Sequence, residues 1–415
     1  MKIYLIMLFC IMSFMQHAVA DSYPLWGNLK PGASAIGFKV KLQYDYSRTF
    51  RTKNQTGPRA RPIQTLIWYP AKKSENSKTM IYEEYVSLRA NELNFDPPTV
   101  ETKQESLQRF IQERTAIFQV SEKGTRSLLS MQTAAIRDAV PLEGKFPLLI
   151  YAPGSSGSAF ENSVFCEYMA SHGYIVAALP SLGPYARNAS VDLTGFYSYM
   201  QDIEFVIGSM HDYPNVDHDH LAIAGFSMGG SAATLVQMRN TDIDAVVYLD
   251  TGIAYDIVDS WFAPSNYYDL NSLRAPQLYL TRGDGPGVNT NFVDRIHYAD
   301  TYSIMFDEGH RHVDFISEGM FAGLIPGYLT QAPPKDPKLL FETVCTYAHS
   351  FLDAYLKKDP LQLKYLEQKP EQNGLAANYL TVEVKNATEA PPREFELAAM
   401  VREQRSVNQL RQVFE

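Results

Sequence analysis

The sequence predicts an α/β fold, with a mainly parallel twisted sheet, helices on both faces and a helical insertion. Three observations lead to this prediction. Short apolar runs recur along the chain, amphipathic stretches separate them, and the first two runs read as a pair of neighbouring strands. Short continuous apolar runs are typical of parallel strands buried on both faces. Strands that alternate with helices are joined by crossover connections into such a sheet.

The predicted strands begin with residues 37–42, which alternate like a half-exposed strand, and residues 63–69, which read as their partner. Six apolar runs follow, at residues 146–151, 174–179, 221–224, 244–249, 276–280 and 302–306. Predicted helices between them cover residues 161–170, 193–210 and 229–238. Ligands of such sheets bind beyond the carboxyl ends of the strands, so we expect the functional residues there.

Two segments are predicted to lie outside the sheet of the main domain, which spans residues 21–372. Residues 73–145 form a mostly helical insertion, because Leu107, Phe110, Ile111 and Arg114 follow helical spacing. This insertion either lies beside or over the site or is a decoration without a substrate role. Residues 373–415 form a tail that contains Pro391-Pro392 and then a charged helix to Glu415.

The N-terminus has the pattern of a signal peptide covering residues 1–20. Lys2 precedes an apolar run from Ile3 to Met15, which is too short to span a bilayer, and residues 18–20 read Ala-Val-Ala. We expect cleavage after Ala20 and a secreted or periplasmic protein. The residues before Cys10 lack the small residue that a lipoprotein signal requires, so no lipid or other stable membrane anchor is predicted.

Composition excludes several classes of function. Hydrophobic residues make up 45% of the 415-residue chain, which is ordinary for a globular protein. The formal net charge of −9 argues against nucleic acid or an anionic membrane as partner, and leaves a neutral small-molecule or lipid substrate open. Beyond the signal peptide only Cys166 and Cys345 remain, and they either form a disulfide or stay as two buried thiols.

The candidate nucleophile is Ser227, in the sequence Gly-Phe-Ser-Met-Gly at residues 225–229. In a G-x-S-x-G elbow the glycines let the chain turn sharply from a strand into a helix and keep bulk away from the serine. The pentapeptide alone is a weak signal. Its context strengthens it, because an apolar strand end at residues 223–224 precedes it and a small-residue helix at residues 229–233 follows.

A serine nucleophile needs hydrogen-bond donors for the oxyanion that its attack creates. In this arrangement the donors are the backbone N–H of the residue after the serine and one N–H from the loop after the third strand. These positions are Met228 and Ser155, the latter in the Gly- and Ser-rich loop of residues 151–157. The alternative is that this loop is an ordinary surface turn.

The serine also needs a base and a carboxylate that orients the base, in the chain order Ser, then Asp or Glu, then His. His310 and His312 directly follow the last predicted strand, where the base is expected, whereas His297 precedes that strand and His349 falls in a later helix.

Two carboxylates are candidates for the orienting acid. Asp250 directly follows the apolar run of residues 246–249, which fixes its backbone, and we prefer it for that reason. Asp284 is the alternative acid, in the glycine-rich segment 283–287, where an aspartate is common in an ordinary turn.

No metal or cofactor is predicted. The sequence His218-Asp219-His220 resembles a ligand pair, but it precedes the strand that leads into the elbow, at the wrong edge of the sheet, and nothing else completes a site.

The chain resembles the dienelactone hydrolase, platelet-activating-factor acetylhydrolase and polyester hydrolase-like branch of the α/β hydrolases, roughly over residues 35–358. The matching segments are residues 61–62, 67–71, 153–154, 169–178, 225–230 and 312–315. The resemblance implies cofactor-free hydrolysis of carboxylic esters through an acyl-enzyme. It also implies that His312 is the base, because His312 and Phe315 match the His-x-x-Phe pattern of that branch.

The two candidate acids correspond to different members of this branch. Asp250 stands at the position used by the acetylhydrolases, and Asp284 at the one used by the polyester hydrolases. Pro153-Gly154 departs from the His-Gly of the acetylhydrolases and is more similar to the polyester hydrolases.

Two other classes of protein share the G-x-S-x-G elbow. One is a serine peptidase of the prolyl-oligopeptidase type, although residues 21–145 are too few for the propeller that precedes such catalytic domains. The other is a non-catalytic binding module with a hydrolase fold, although such modules usually lack a triad member and none is missing here.

Overall fold

A computed structural model of the chain describes residues 23–50, 59–74, 77–95, 102–254, 258–284 and 291–392, and every structural statement below concerns those residues. The predicted signal peptide with its cleavage site after Ala20 lies outside the described residues. So does the predicted helix that runs to Glu415.

The described residues form one ten-stranded sheet with the order β10-β9-β8-β7-β6-β4-β5-β2-β1-β3. The strands are β1 Ala35–Phe50, β2 Arg59–Ala71, β3 Ala135–Arg137, β4 Phe146–Ala152, β5 Ile175–Ala178, β6 Val216–Phe226, β7 Ala245–Leu249, β8 Gln277–Arg282, β9 Thr301–Phe306 and β10 Leu380–Lys385. Strands β4 to β9 run parallel to one another, and β2 runs antiparallel to both β1 and β5. The α/β fold with a mainly parallel sheet is therefore confirmed, and every strand predicted from an apolar run is present.

Helices cover both faces of this sheet. They are α1 Tyr82–Ser87, α2 Lys103–Ile117, α3 Glu122–Leu129, α4 Ser163–Ser171, α5 Leu193–Ser209, α6 Met228–Arg239, α7 Val258–Phe262, α8 Asn291–Asp294, α9 Ser317–Leu324, α10 Pro337–Leu356 and α11 Pro360–Glu367. One core contains residues of α4, α9 and α10, and the other contains residues of α5 and α6. Side chains alternate between the two faces along each strand, so the central strands must be apolar throughout, and all five residues of β7 are buried.

The sheet extends further at both edges than the sequence predicted. The tail contributes β10, which pairs antiparallel with β9, and the insertion contributes β3, which pairs in parallel with β1. The expectation that neither segment joins the sheet was therefore wrong. Both are short strands that supply backbone partners to an edge that would otherwise be open. Neither carries the long apolar run that marks a central strand.

The two cysteines are free, and both are fully buried. Of the two states left open for Cys166 and Cys345, the structure therefore has separate thiols. Within the described ranges, no helix combines the length and apolar character needed to cross a membrane.

Candidate active site

Ser227 occupies the sharp turn between β6 and α6. Its backbone has φ 52° and ψ −119°, a left-handed conformation that a residue with a side chain adopts only at a cost of about 1–3 kcal/mol. The turn depends on close backbone approach. A Cβ atom on Gly229 would lie 2.0 Å from the carbonyl oxygen of Ala152, and one on Gly225 would lie 2.4 Å from the amide of Gly230. The glycines of the motif thus let α6 start directly against the end of β4.

Asp250 and His312 meet beside this turn. Asp250 directly follows β7 and is fully buried, and its Oδ2 lies 2.5 Å from Nδ1 of His312. His312 opens the short 3₁₀ turn His312–Phe315 that follows β9. A hydrogen bond to Nδ1 fixes the orientation of the ring and leaves Nε2 as the nitrogen that can accept a proton. His312 and Ser227 line the same cavity, of about 280 Å³, which we call the serine cavity.

Two further side chains hold this pair, and the sequence analysis assigned neither of them a role. The ring of Phe226 stacks on the imidazole of His312, with centroids 4.5 Å apart and planes 29° apart. Arg282, the last residue of β8, has its Nε 3.1 Å from Asp250 Oδ2, and its backbone N–H donates to Asp250 Oδ1 at 3.3 Å. Their positions in the sequence could have marked them as neighbours of the site. Phe226 is the second residue of the G-x-S-x-G motif, and Arg282 ends a strand at the same sheet edge as Asp250.

The alternative acid, Asp284, and the alternative base, His310, make other contacts. Asp284 accepts a hydrogen bond from the backbone N–H of Gly309 at 2.9 Å, which is the role of a turn residue. His310 is buried, and its Nε2 lies 2.9 Å from Asp307 Oδ1. Neither of these side chains lines the serine cavity. Of the candidate acids and bases, the structure brings together Asp250 and His312.

The remaining candidate histidines are also engaged elsewhere. His349 lies on α10 with Nε2 3.3 Å from Asp353, and the ring of His297 lies 6.5 Å, centroid to centroid, from that of Tyr298. His220 pairs with Asp217 at 2.9 Å. Across the part of the chain that the structure describes, no group of three or more His, Cys, Asp or Glu residues could hold a metal ion.

The two predicted oxyanion donors both line the serine cavity. Met228 is the first residue of α6, and the first amides of a helix have no partner within the helix. Ser155 belongs to the loop after β4, which runs close to Ser227. A Cβ atom on the preceding Gly154 would lie 3.5 Å from the Cβ of Ser227. Ser155, Met228 and Ser227 thus lie around one cavity.

Glu161 anchors this loop from behind. Its Oε1 accepts the N–H of Gly154 at 3.0 Å and the hydroxyl of Tyr151 at 3.1 Å. Burial raises the pKa of the Glu161 carboxyl to about 7, although these two hydrogen bonds oppose that shift. The sequence analysis did not single out this residue.

The rest of the serine cavity is mainly apolar. Phe196 of α5, Trp261 of α7 and Val191, which precedes α5, form its wall, together with the side chain of Met228. Such a cavity suits an uncharged group, because a charged group would lose its hydration and the arginine that lines the cavity, Arg282, already lies 3.1 Å from Asp250.

No family model and no curated protein matches this chain. Among solved structures, the chain is similar to a ferulic acid esterase from Streptomyces cinnamoneus, with 20% sequence identity and a TM-score of 0.60. The likeness covers 84% of this chain and 96% of that chain. The chain thus has an α/β-hydrolase fold, with a helical insertion before the fourth strand.

Proposed function

We propose that this protein is a secreted serine hydrolase that cleaves carboxylic esters through an acyl-enzyme. The observation that carries the proposal is the meeting of three side chains at one sheet edge. Ser227 stands at the strained turn, His312 lines the same cavity, and Asp250 binds the Nδ1 nitrogen of His312. A nucleophile, a base and a buried orienting carboxylate are the groups that acyl transfer requires.

In the proposed reaction the Oγ of Ser227 attacks the ester carbonyl carbon while Nε2 of His312 takes the hydroxyl proton. The carbonyl oxygen becomes an oxyanion, which accepts hydrogen bonds from the N–H groups of Ser155 and Met228. The tetrahedral intermediate collapses, His312 returns its proton to the leaving alcohol, and the acyl group stays on Ser227. His312 then takes a proton from water as the water oxygen attacks the acyl carbonyl carbon, and it returns that proton to Ser227 Oγ as the bond to the serine breaks and the carboxylic acid leaves. Asp250 stabilises the imidazolium formed in each step and remains ionised.

The class of ester follows from the site and from the resemblance. The apolar serine cavity favours a neutral small-molecule or lipid ester. The resemblance to the dienelactone hydrolase, acetylhydrolase and polyester hydrolase-like branch supports a cofactor-free reaction, and the similarity in fold to a ferulic acid esterase is consistent with it. The signal-peptide pattern at residues 1–20 supports export to the periplasm or the medium.

The test uses purified mature protein and p-nitrophenyl acetate. We expect turnover with a burst of nitrophenol equal to the enzyme concentration when deacylation is the slower step. Ser227→Ala should lower turnover by about 10⁴ to 10⁶. The control variant is Ser209→Ala, because the Ser209 hydroxyl donates to the backbone carbonyl of Val206 within α5 and does not line the serine cavity.

A covalent phosphonate should label Ser227 and no other serine. Labelling at another serine with activity intact would refute the assignment. Dipeptide amides assayed in parallel separate an esterase from a peptidase of the prolyl-oligopeptidase type. A folded protein that binds the ester and turns over none of these substrates would be a binding module.

A further inference from the structure

A second cavity, of about 330 Å³, lies next to the serine cavity, and we call it the insertion cavity. The two cavities share Ser155, whose N–H is a proposed oxyanion donor. Val313 and Ile316, which follow the proposed base in sequence, also line the insertion cavity. A group bound in the insertion cavity is therefore adjacent to a carbonyl held in the serine cavity, across Ser155. Trp261 lines only the serine cavity.

The insertion builds one wall of this cavity from aromatic rings. Tyr82 of α1 and Phe110 of α2 lie against Phe160 and Phe321 of the hydrolase domain, with ring centroids 5.1–6.4 Å apart. These distances are those of edge-to-face and tilted aromatic packing, a geometry that a further ring can join. At the rim stands Ile117, the last residue of α2, which is 67% exposed. Of the two roles left open for the insertion, the structure places it beside the site.

The arginines that line the insertion cavity are each paired with a carboxylate, and the Glu161 carboxyl, which also lines it, already accepts hydrogen bonds from Gly154 and Tyr151. Arg89 lies 2.7 Å from Glu113, and Arg114 pairs with Glu318. The third arginine, Arg187, pairs with the buried Glu92 behind the wall. A charged ligand would have to give up its hydration and compete with these existing pairs, whereas a neutral ligand would do neither.

We propose that the insertion cavity binds a neutral, ring-bearing portion of the ester, and this proposal rests on the hydrolase function proposed above. The occupant is an aromatic or alicyclic group joined to the reacting carbonyl by a short linker, on either its acyl or its alcohol side. Burying one such ring is worth about one to two powers of ten in affinity. That gain should appear in kcat/KM, because the ring is bound in both the substrate and the transition state.

The experiment compares two matched pairs of neutral esters, namely p-nitrophenyl acetate with p-nitrophenyl phenylacetate and ethyl acetate with 2-phenylethyl acetate. The first pair adds a phenyl ring on the acyl side and the second adds it on the alcohol side, and within each pair the rest of the ester is unchanged. We expect one of the two ring-bearing esters to exceed its reference in kcat/KM by about 10- to 100-fold. A carboxylate on that ring should abolish the preference.

We define the selectivity ratio as kcat/KM for the preferred ring-bearing ester divided by kcat/KM for its reference. Ile117→Trp, a substitution at an exposed position, fills the rim of the insertion cavity and should lower this ratio about tenfold. The matched control is Leu361→Trp, on the exposed side of α11 and outside both cavities, which should keep the ratio. Phe110→Ala, which removes a ring of the wall, should lower the ratio as well, with thermal unfolding measured to show that the variant folds.

Turnover of acetate esters without any preference for either ring-bearing ester would overturn this inference and leave the hydrolase function standing. So would a preference that survives both Ile117→Trp and Phe110→Ala. Failure of the hydrolase function has a different signature, namely no turnover of any ester by the folded wild-type protein and no phosphonate labelling of Ser227.

Discussion

Replacing Asp250 by asparagine tests the assignment of the orienting acid. The substitution keeps the size of the side chain and removes its charge, at a fully buried position 2.5 Å from Nδ1 of His312. Two unit charges with centres about 4 Å apart at an effective dielectric constant near 20 attract by about 4 kcal/mol, which corresponds to roughly a thousandfold in rate. The asparagine can also donate to Nδ1 and select the wrong tautomer, so we expect a total loss of about 10⁴ in kcat.

The matched control is Asp284→Asn. The amide oxygen of an asparagine can still accept the hydrogen bond from Gly309 N–H, so kcat should change by less than about threefold. Both variants are assayed with p-nitrophenyl acetate after circular dichroism and thermal unfolding have shown that they are folded. Near-normal activity in Asp250→Asn together with a large loss in Asp284→Asn would refute the reasoning and give the role to Asp284.

Three other predictions follow from contacts on the same sheet edge and in the core. His312→Ala should lower kcat by about 10⁴ to 10⁶ while His310→Ala stays within about tenfold when folded, and the reverse pattern would reassign the base. Gly154→Ala would place a Cβ 2.9 Å from the Phe226 ring that stacks on His312, so we expect a loss of kcat on the order of 10²-fold, whereas Gly208→Ala on α5, with no atom within 4 Å, should leave kcat unchanged. Burial raises the pKa of Glu167 to about 7, above its ordinary 4.5, although Trp26 and Tyr85 donate to it. The Glu167 carboxyl then holds more protons in the folded than in the unfolded state between those values, so its contribution to the free energy of unfolding should fall by about 3 kcal/mol as pH rises from 4.5 to 7. Chemical unfolding of Glu167→Gln should show a shallower dependence, and an unchanged slope would contradict this.

The sequence by itself determined which segments form the central strands and where the sharp turn at Ser227 lies. Continuous apolar runs such as residues 245–249 can be buried on both faces only in a central strand, so their pattern is decisive without any tertiary information. The turn at Ser227 is equally local, because glycines at residues 225 and 229 permit a close approach that no other residue allows. The short edge strands β3 and β10 escaped prediction because their pairing depends on where the sheet edge happens to lie.

Only the tertiary structure decided which acid and which histidine pair beside Ser227. Asp250 and Asp284 follow neighbouring strands, and His310 and His312 are two residues apart, so spacing along the chain could not separate them. The fold turns Asp250 toward His312 and directs Asp284 to a backbone amide, which depends on backbone angles such as the φ of 39° at Asp250. The contacts of Arg282, Glu161 and the insertion could not be predicted from the sequence either. They join residues far apart in sequence, and a contact of that kind is created by the packing of the whole chain rather than by any local pattern.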